Sequence, residues 1–402
     1  MTIVEPSIDE KERIERSLHL RIFSDEELAG RMAKARTFMA EAGLDAMLLT
    51  HESNVVYFSG LTTPSFATTT RPIMMLIPIL GDPILICSRS QSAHARAASW
   101  VADIRTFDGF EVDALAVLSD VLRGLGSNRR TIGCEFGDEQ RMGLTYAGFT
   151  GVVERSSHAF VDASRVVWAT RAVKSATEID YLREAARING VAFDRVADVA
   201  AVGMSERSIR REWAIALAEE GADKPGYLSM HSGPGSYRRV SGSPSDRVLA
   251  QGDLLWMDGG PTYRGYWSDI TRTISFGEPD PEHERLYEFS WLATRELLRA
   301  AKPGVTAGSL SVLCQELFAD AGLTLGSASR IGHGIGADLT EPPSIIEADE
   351  TELLSGMALA IEPAVARWDG YFIVEEDFIV TDTGSELISA PAPKSITIAG
   401  RN

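Results

Sequence analysis

The sequence predicts two unlike domains in one chain, an α/β domain followed by an α+β domain. Three observations carry that prediction. The chain has 402 residues, more than the roughly 100–200 that usually make one domain. Its first 160 or so residues alternate amphipathic helices with short apolar runs, the pattern of an α/β domain. From Ser175 onward, pairs of helices are followed by strands, twice over, as in an α+β domain built of two similar halves.

The elements follow in chain order. Residues 6–22 are charged and read as an arm or a short helix. "SDEELAGRMAKARTFMAEA", Ser24 to Ala42, opens on a capping pair, carries acids in its first turn and apolar residues at helical spacing, and stops at Gly43. "DAMLLT", "VVYFSG", "PIMMLIPIL" and "DPILICS" are short apolar runs separated by Gly, Pro or Asp and are predicted as strands. A helix around 91–101, a strand near 103–107, a helix near 112–125 and a strand at "TIGCEF" complete a first domain at 1–165. The pattern changes in "VVWATRAVK", 166–174, which places the boundary near 165–172 and a second domain at 172–402. Ser175 with Glu178 matches a capping box and opens a long helix. Further helices are predicted from Ser205 and at about 281–301 and 306–321, with strands near 226–232, 253–258, 265–276, 357–366 and 371–382.

Composition bounds the function. A net charge of −18 repels nucleic acid and anionic membrane. The apolar runs fall short of the roughly 20 residues needed to span a bilayer, and the first residues lack a secretory leader's basic end and apolar core. A cytoplasmic protein is therefore expected. Cys87, Cys134 and Cys314 are too widely spaced for a redox or zinc motif and are expected as buried free thiols.

The chemistry is expected in the second half. "LLWMDGGPTYRGYWSDITRT" places Asp258 and Asp269 beside β-forming residues, where an unpaired buried carboxylate costs several kcal/mol unless a cation or a hydrogen-bond network meets it. "RIGHGIGADLTEPP" sets His333 among glycines. "GMALAIEPA" ends an apolar run in Glu362, and "YFIVEEDFIV" carries Glu375, Glu376 and Asp377 in a β-forming run where acids are depleted unless they have a task. Carboxylates with one imidazole suit Mn, Fe, Co or Zn, and five such side chains suffice for two ions. Glu375 and Glu376 lie on opposite faces of a strand, so at least one of them is expected to face solvent.

These segments, in this order, resemble the pita-bread metallohydrolases, among them methionine aminopeptidase, aminopeptidase P, prolidase and the metal-free creatinase. The segment containing "ESNVVYFSGL" resembles the creatinase-like N-terminal domain of the aminopeptidase P, prolidase and creatinase branch. The resemblance implies two divalent ions (Mn, Co, Fe or Zn) on Asp258, Asp269, His333, Glu362 and Glu376, with Glu362 also the general base. Glu376 is chosen over Glu375 because the family places its ligand Glu directly before Asp. A homodimer is implied in the same way.

Two histidines that the family uses on its substrate are missing. Thr340 occupies one position, in "LTEPP", and Ser241 or Gly242 the other, in "SGPGSYRRVSGSPSDRVL". Thr cannot carry a proton near neutral pH as His can, and such help is worth roughly 10²–10⁴ in rate. His231, in "LSMHSGPG", is the candidate replacement, with a hydrogen-bonded core histidine as the alternative. Arg238 and Arg239 are candidates to grip a substrate carboxylate. The expected function is a dinuclear metal-dependent hydrolase cleaving an amide or related C–N bond in a short peptide or a small carboxylated molecule. The alternatives are a lyase on the same scaffold and a non-catalytic binding protein.

Overall fold

The structure, a computed structural model, describes residues 20–126, 128–234, 239–326 and 330–400. The chain divides into two units, Met1–Arg171 and Ala172–Asn402.

The first unit opens with α1 (Asp25–Glu41), whose first turn is capped by the Ser24 hydroxyl accepting the Glu27 N–H at 3.1 Å. Its sheet contains β1 (Ala46–Leu49), β2 (Met74–Pro78), β3 (Ile84–Ser88), β4 (Asp103–Phe107), β5 (Thr131–Cys134) and β6 (Ala159–Asp162), in the order β4-β3-β2-β1-β5-β6. Successive residues of a strand face opposite sides, and here both sides are covered. Met47, Leu49, Met75 and Ile77 pack with Met32 and Met39 of α1 and with Val55 and Phe58 of α2 (Glu52–Ser59). Ala46, Leu48, Met74 and Leu76 pack with Leu115 and Leu118 of a helix at Glu111–Gly124 and with Val152 of one at Tyr146–Arg155. A sheet buried on both faces needs unbroken apolar strands, hence "AMLL" and "MMLIP".

The prediction fails at "VVYFSG", which is helical as part of α2. Tertiary contacts outweigh its β-forming residues. At the N-terminal end, the buried Glu135 carboxylate accepts the Thr50 N–H at 2.8 Å, the His51 N–H at 3.1 Å and the Asn54 side chain at 2.7 Å. Gly60, at φ 72°, turns the chain out in the left-handed region that favours glycine. "VVWATR" is also helical, within Ser164–Arg171.

The second unit repeats one plan. Two helices, Ala176–Val199 and Glu206–Glu219, cover a sheet ordered β18-β10-β8-β7, with β9 paired to β8. Its strands are β7 (Lys224–Ser232), β8 (Leu254–Tyr263), β9 (Tyr266–Trp267), β10 (Ile270–Ser275) and β18 (Thr397–Ile398). Helices at Pro281–Ala300 and Ala307–Asp320 cover a second sheet, ordered β12-β11-β13-β16-β17. It comprises β11 (Gly332–Gly334), β12 (Glu341–Ser344), β13 (Ala358–Ile361), β16 (Glu376–Val380) and β17 (Ser385–Leu387); β14 (Ala364–Arg367) and β15 (Gly370–Ile373) form a separate hairpin.

Strand parity then sorts the residues. Leu255 and Met257 of β8 and Ile270 and Ile274 of β10 pack with helix residues Ile188, Phe193, Trp213 and Leu217. Leu359 and Ile361 of β13 and Phe378 and Val380 of β16 pack with Leu286, Leu297, Leu310 and Phe318. Residues of the other parity, Asp258 and Glu362 among them, point to the helix-free faces.

Candidate metal centre

Asp258 lies opposite Thr271 in the β8–β10 ladder, and Asp269 is two residues before Thr271, so all three share a face. Directly opposite, Gly260 allows this close return: a Cβ there would lie 1.7 Å from the Ser268 carbonyl oxygen. In the second sheet His333 pairs with Ala360, two residues before Glu362, which again places both on one face.

Asp269, His333 and Glu375, all buried, bring one potential ligand atom each within 4.8 Å of one another. Asp258 joins them through a side-chain hydrogen bond with Glu375. Two carboxyl groups in such contact need a proton or a cation between them. Burial, then the charges of Glu375 and Glu362, push the Asp258 carboxyl well above its ordinary range. Burial with the charges of Glu375 and Asp258 does the same to Asp269, and burial with Glu375 does so to Glu362. Glu375 is pushed up to about 7 by burial, against the opposing hydrogen bonds with Thr271 and Asp258 and the charges of Arg272 and Arg330.

The imidazole is set for a cation. His333 Nδ1 donates to the Gly334 carbonyl at 2.9 Å, which leaves the Nε2 lone pair facing Asp269 Oδ2 at 3.7 Å. Burial, then the charge of Arg330, hold the ring to about 4, so it is neutral near pH 7. Asp269 Oδ1 is buried with no hydrogen-bond partner among the described residues. Oxygen-rich donors with one neutral imidazole fit a divalent Mn, Fe, Co or Zn, and a cation would relieve the mutual repulsion.

The structure brings Glu375, not the expected ligand Glu376, to Asp269 and His333. Neither glutamate faces solvent as expected: both are buried, and Glu376 shares parity with Phe378 and Val380 and so faces the helix layer. Its carboxylate is taken up by Arg272 Nη2 at 3.0 Å, Arg295 Nη2 at 2.9 Å, the Ser389 hydroxyl at 2.6 Å and the Ala392 N–H at 2.8 Å. Glu375, of the opposite parity, accepts the Thr271 hydroxyl at 2.7 Å on the side of the acids. The alternation "E-x-F-x-V" against "E-x-D-x-I" was the sequence signal for this choice.

His231 is fully buried and stacked on Trp256, ring centroids 4.6 Å apart, and neither ring nitrogen has a hydrogen-bond partner among the described residues. It lies two pairs beyond Ser229–Asp258, on the same face, but does not reach the acids by hydrogen bond. Burial, then the charge of Arg239, depress its pKa to about 4. Arg239 is exposed, and Arg238 lies outside the described residues. Thr340 is half-buried beside Glu341, whose carboxylate pairs with buried Lys174 at 3.0 Å. Two tyrosines went unnoticed in the sequence. The hydroxyl of Tyr227 interacts with Ser241 and Ser229 and feels the charge of Asp258. Tyr371, on β15, is raised by burial and by the charges of Glu362, Asp258 and Glu375.

Residues 180–382 match the family described as Metallopeptidase family M24, and residues 31–173 match the Creatinase/Prolidase N-terminal domain. The probable dipeptidase PepE of Mycobacterium tuberculosis is 32% identical over 370 residues, covering 91% of this chain and 95% of that protein. The Xaa-Pro dipeptidase of Pyrococcus horikoshii is 26% identical, covering 89% and 96%. Among solved structures, an Xaa-Pro dipeptidase from Bacillus anthracis superposes with a TM-score of 0.82 at 27% identity, covering 92% of this chain and 99% of that one. Among the described residues, no helix is long and apolar enough to cross a membrane.

Proposed function

From the premise that the chain belongs to metallopeptidase family M24 and is a metal-dependent enzyme of that family, we propose that it hydrolyses the C–N bond of a dipeptide or similarly small carboxylated amide. Two divalent ions would be held by Asp258, Asp269, His333, Glu362 and Glu375. The observation that carries this reading is the His333 Nε2 lone pair turned on Asp269 Oδ2 at 3.7 Å within a nest of buried acids.

When bound, such ions acidify a water molecule and polarise the scissile carbonyl. The protein's own residues do the rest. Asp258, Asp269 and Glu375 supply negative charge that a cation neutralises, and the Gly334 carbonyl fixes the His333 tautomer. Glu362, at the end of β13 on the helix-free face, takes the proton from the attacking water and returns it to the departing nitrogen. Arg330, whose charge reaches His333, Glu362 and Glu375, would be the group to meet a substrate carboxylate.

A small non-peptide substrate is the second reading, favoured by Thr340 and by Ser241 or Gly242 at the positions expected for the family's substrate histidines. His231, buried and neutral, does not replace them as a proton carrier. An activity screen with Mn, Co, Fe or Zn against Xaa-Pro dipeptides, other dipeptides, N-acyl amino acids, ectoine, creatine and dimethylsulfoniopropionate tests both. Rapid dipeptide turnover supports the first, and turnover restricted to the small molecules supports the second. Product formed without incorporation of oxygen from labelled water would overturn both in favour of a lyase.

A further inference from the structure

Glu375, Glu376 and Asp377 are consecutive acids, each at most 1% exposed. Each is tied to a different member of the segment 268–272. Glu375 Oε2 accepts the Thr271 hydroxyl at 2.7 Å, and Glu376 Oε2 accepts Arg272 Nη2 at 3.0 Å. Asp377 Oδ2 accepts the Ser268 hydroxyl at 2.8 Å and the backbone N–H of Asp269 at 3.0 Å. Arg272 Nη1 also donates to the carbonyls of Thr271 and Glu375, both at 2.9 Å, and its Nη2 donates to that of Ala390.

The clasp joins two separate sheets, because residues 268–272 lead into and form β10 while 375–377 lead into and form β16. The candidate centre is split between the same two sheets. One planar guanidinium therefore holds the Thr271 carbonyl, two residues past Asp269, and the Glu375 carbonyl at once, and a point-charge ammonium cannot match that fork.

We propose that Arg272, oriented by Glu376, is a positioning residue of the metal centre: it sets the spacing between the ligand-bearing strands and thereby the affinity for the ion, without touching it. The proposal rests on the reading that the buried acids bind divalent ions. Supporting groups behind metal ligands typically change affinity 10–100-fold when altered. Arg295 is the internal control. It binds the same Glu376 carboxylate from the helix Pro281–Ala300 but, among the described residues, makes no hydrogen bond to the main chain of either ligand-bearing strand.

The test is Mn²⁺ titration of the full-length protein by calorimetry, scaled to the folded fraction, with a thermal melt of each metal-free variant. Arg272→Lys should raise the Mn²⁺ dissociation constant at least tenfold with unchanged stoichiometry, while Arg295→Lys stays within twofold. Glu376→Gln should also keep the stoichiometry and lose at least tenfold in affinity, and it carries the test should Arg272→Lys not fold. Wild-type affinity in folded Arg272→Lys or Glu376→Gln, with only a lower melting temperature, would reduce the clasp to a structural role and overturn the proposal. Equal losses in Arg272→Lys and Arg295→Lys would overturn it as well. Glu375→Gln and Asp258→Asn separate this from the metal reading: normal Mn²⁺ uptake in both would remove the metal centre itself, whatever the clasp does.

Discussion

At the scale of single residues, adjacent positions have opposite fates. Glu375 and Glu376 have the same side chain, yet one faces three acid or imidazole groups and the other two guanidinium groups, because one step along a strand reverses direction. Glu375→Gln is expected to abolish metal-dependent activity, a loss of at least a thousandfold, which steady-state assay with added Mn²⁺ would reveal. The sequence reading chose Glu376 because a motif rule outranked strand parity, whereas the structure sets Glu375 among the acids and Glu376 between Arg272 and Arg295. His231 gives a second prediction. Its pKa, depressed from 6.5 to about 4 by burial, means the unfolded chain binds a proton that the folded one refuses. Its contribution is therefore intact above pH 6.5 and is lost as pH falls through about 4, on the order of 3 kcal/mol in full. His231→Leu should flatten this part of the acid-stability profile, as read by urea melts at pH 7 and pH 4.5; an unchanged pH dependence would count against it.

At the scale of elements, local signals predicted the helices well and the short strands less well. Ser24 and Ser175 cap their helices as expected, the latter in a complete capping box. Periodicity succeeded there because the helices are amphipathic and expose one face. "VVYFSG" misled because its propensity is overruled by Glu135, which follows it by some 80 residues in sequence. The three-residue β11, with His333 at its centre, carries no periodicity to detect. Glu135 yields a prediction at this scale. Burial raises its pKa against the pull of its hydrogen bonds from Asn54 and Thr50, and removing it strands several buried donors. Glu135→Ala should destabilise the first unit by about 2–4 kcal/mol, seen as an earlier first transition in urea melts, with the second unit's metal binding unchanged.

At the scale of the molecule, length and pattern had suggested a long acidic chain of two domains, and the buried acids and His333 gather where the two sheets of the second unit each contribute side chains. No run of residues announced that meeting, since Asp258 and Glu375 are brought together only by tertiary structure. The buried acids predict how the metal-free protein responds to pH. Glu375, raised from 4.5 to about 7, is protonated more readily folded than unfolded. Its stabilising contribution is present at low pH and fades as pH rises through about 7, and Asp258, Asp269 and Glu362 shift in the same direction. Chelator-treated protein should therefore gain more in melting temperature from added Mn²⁺ at pH 7.5 than at pH 5.5, by differential scanning calorimetry; equal gains would contradict the assignment. The same dispersal of ligands has a consequence for biosynthesis. Chains are made from the N-terminus at about 5–20 residues per second, and the proposed centre lacks its last proposed ligand until residue 375 has left the ribosome. An ion held by all five proposed ligands is therefore taken up only after both sheets of the second unit have been made.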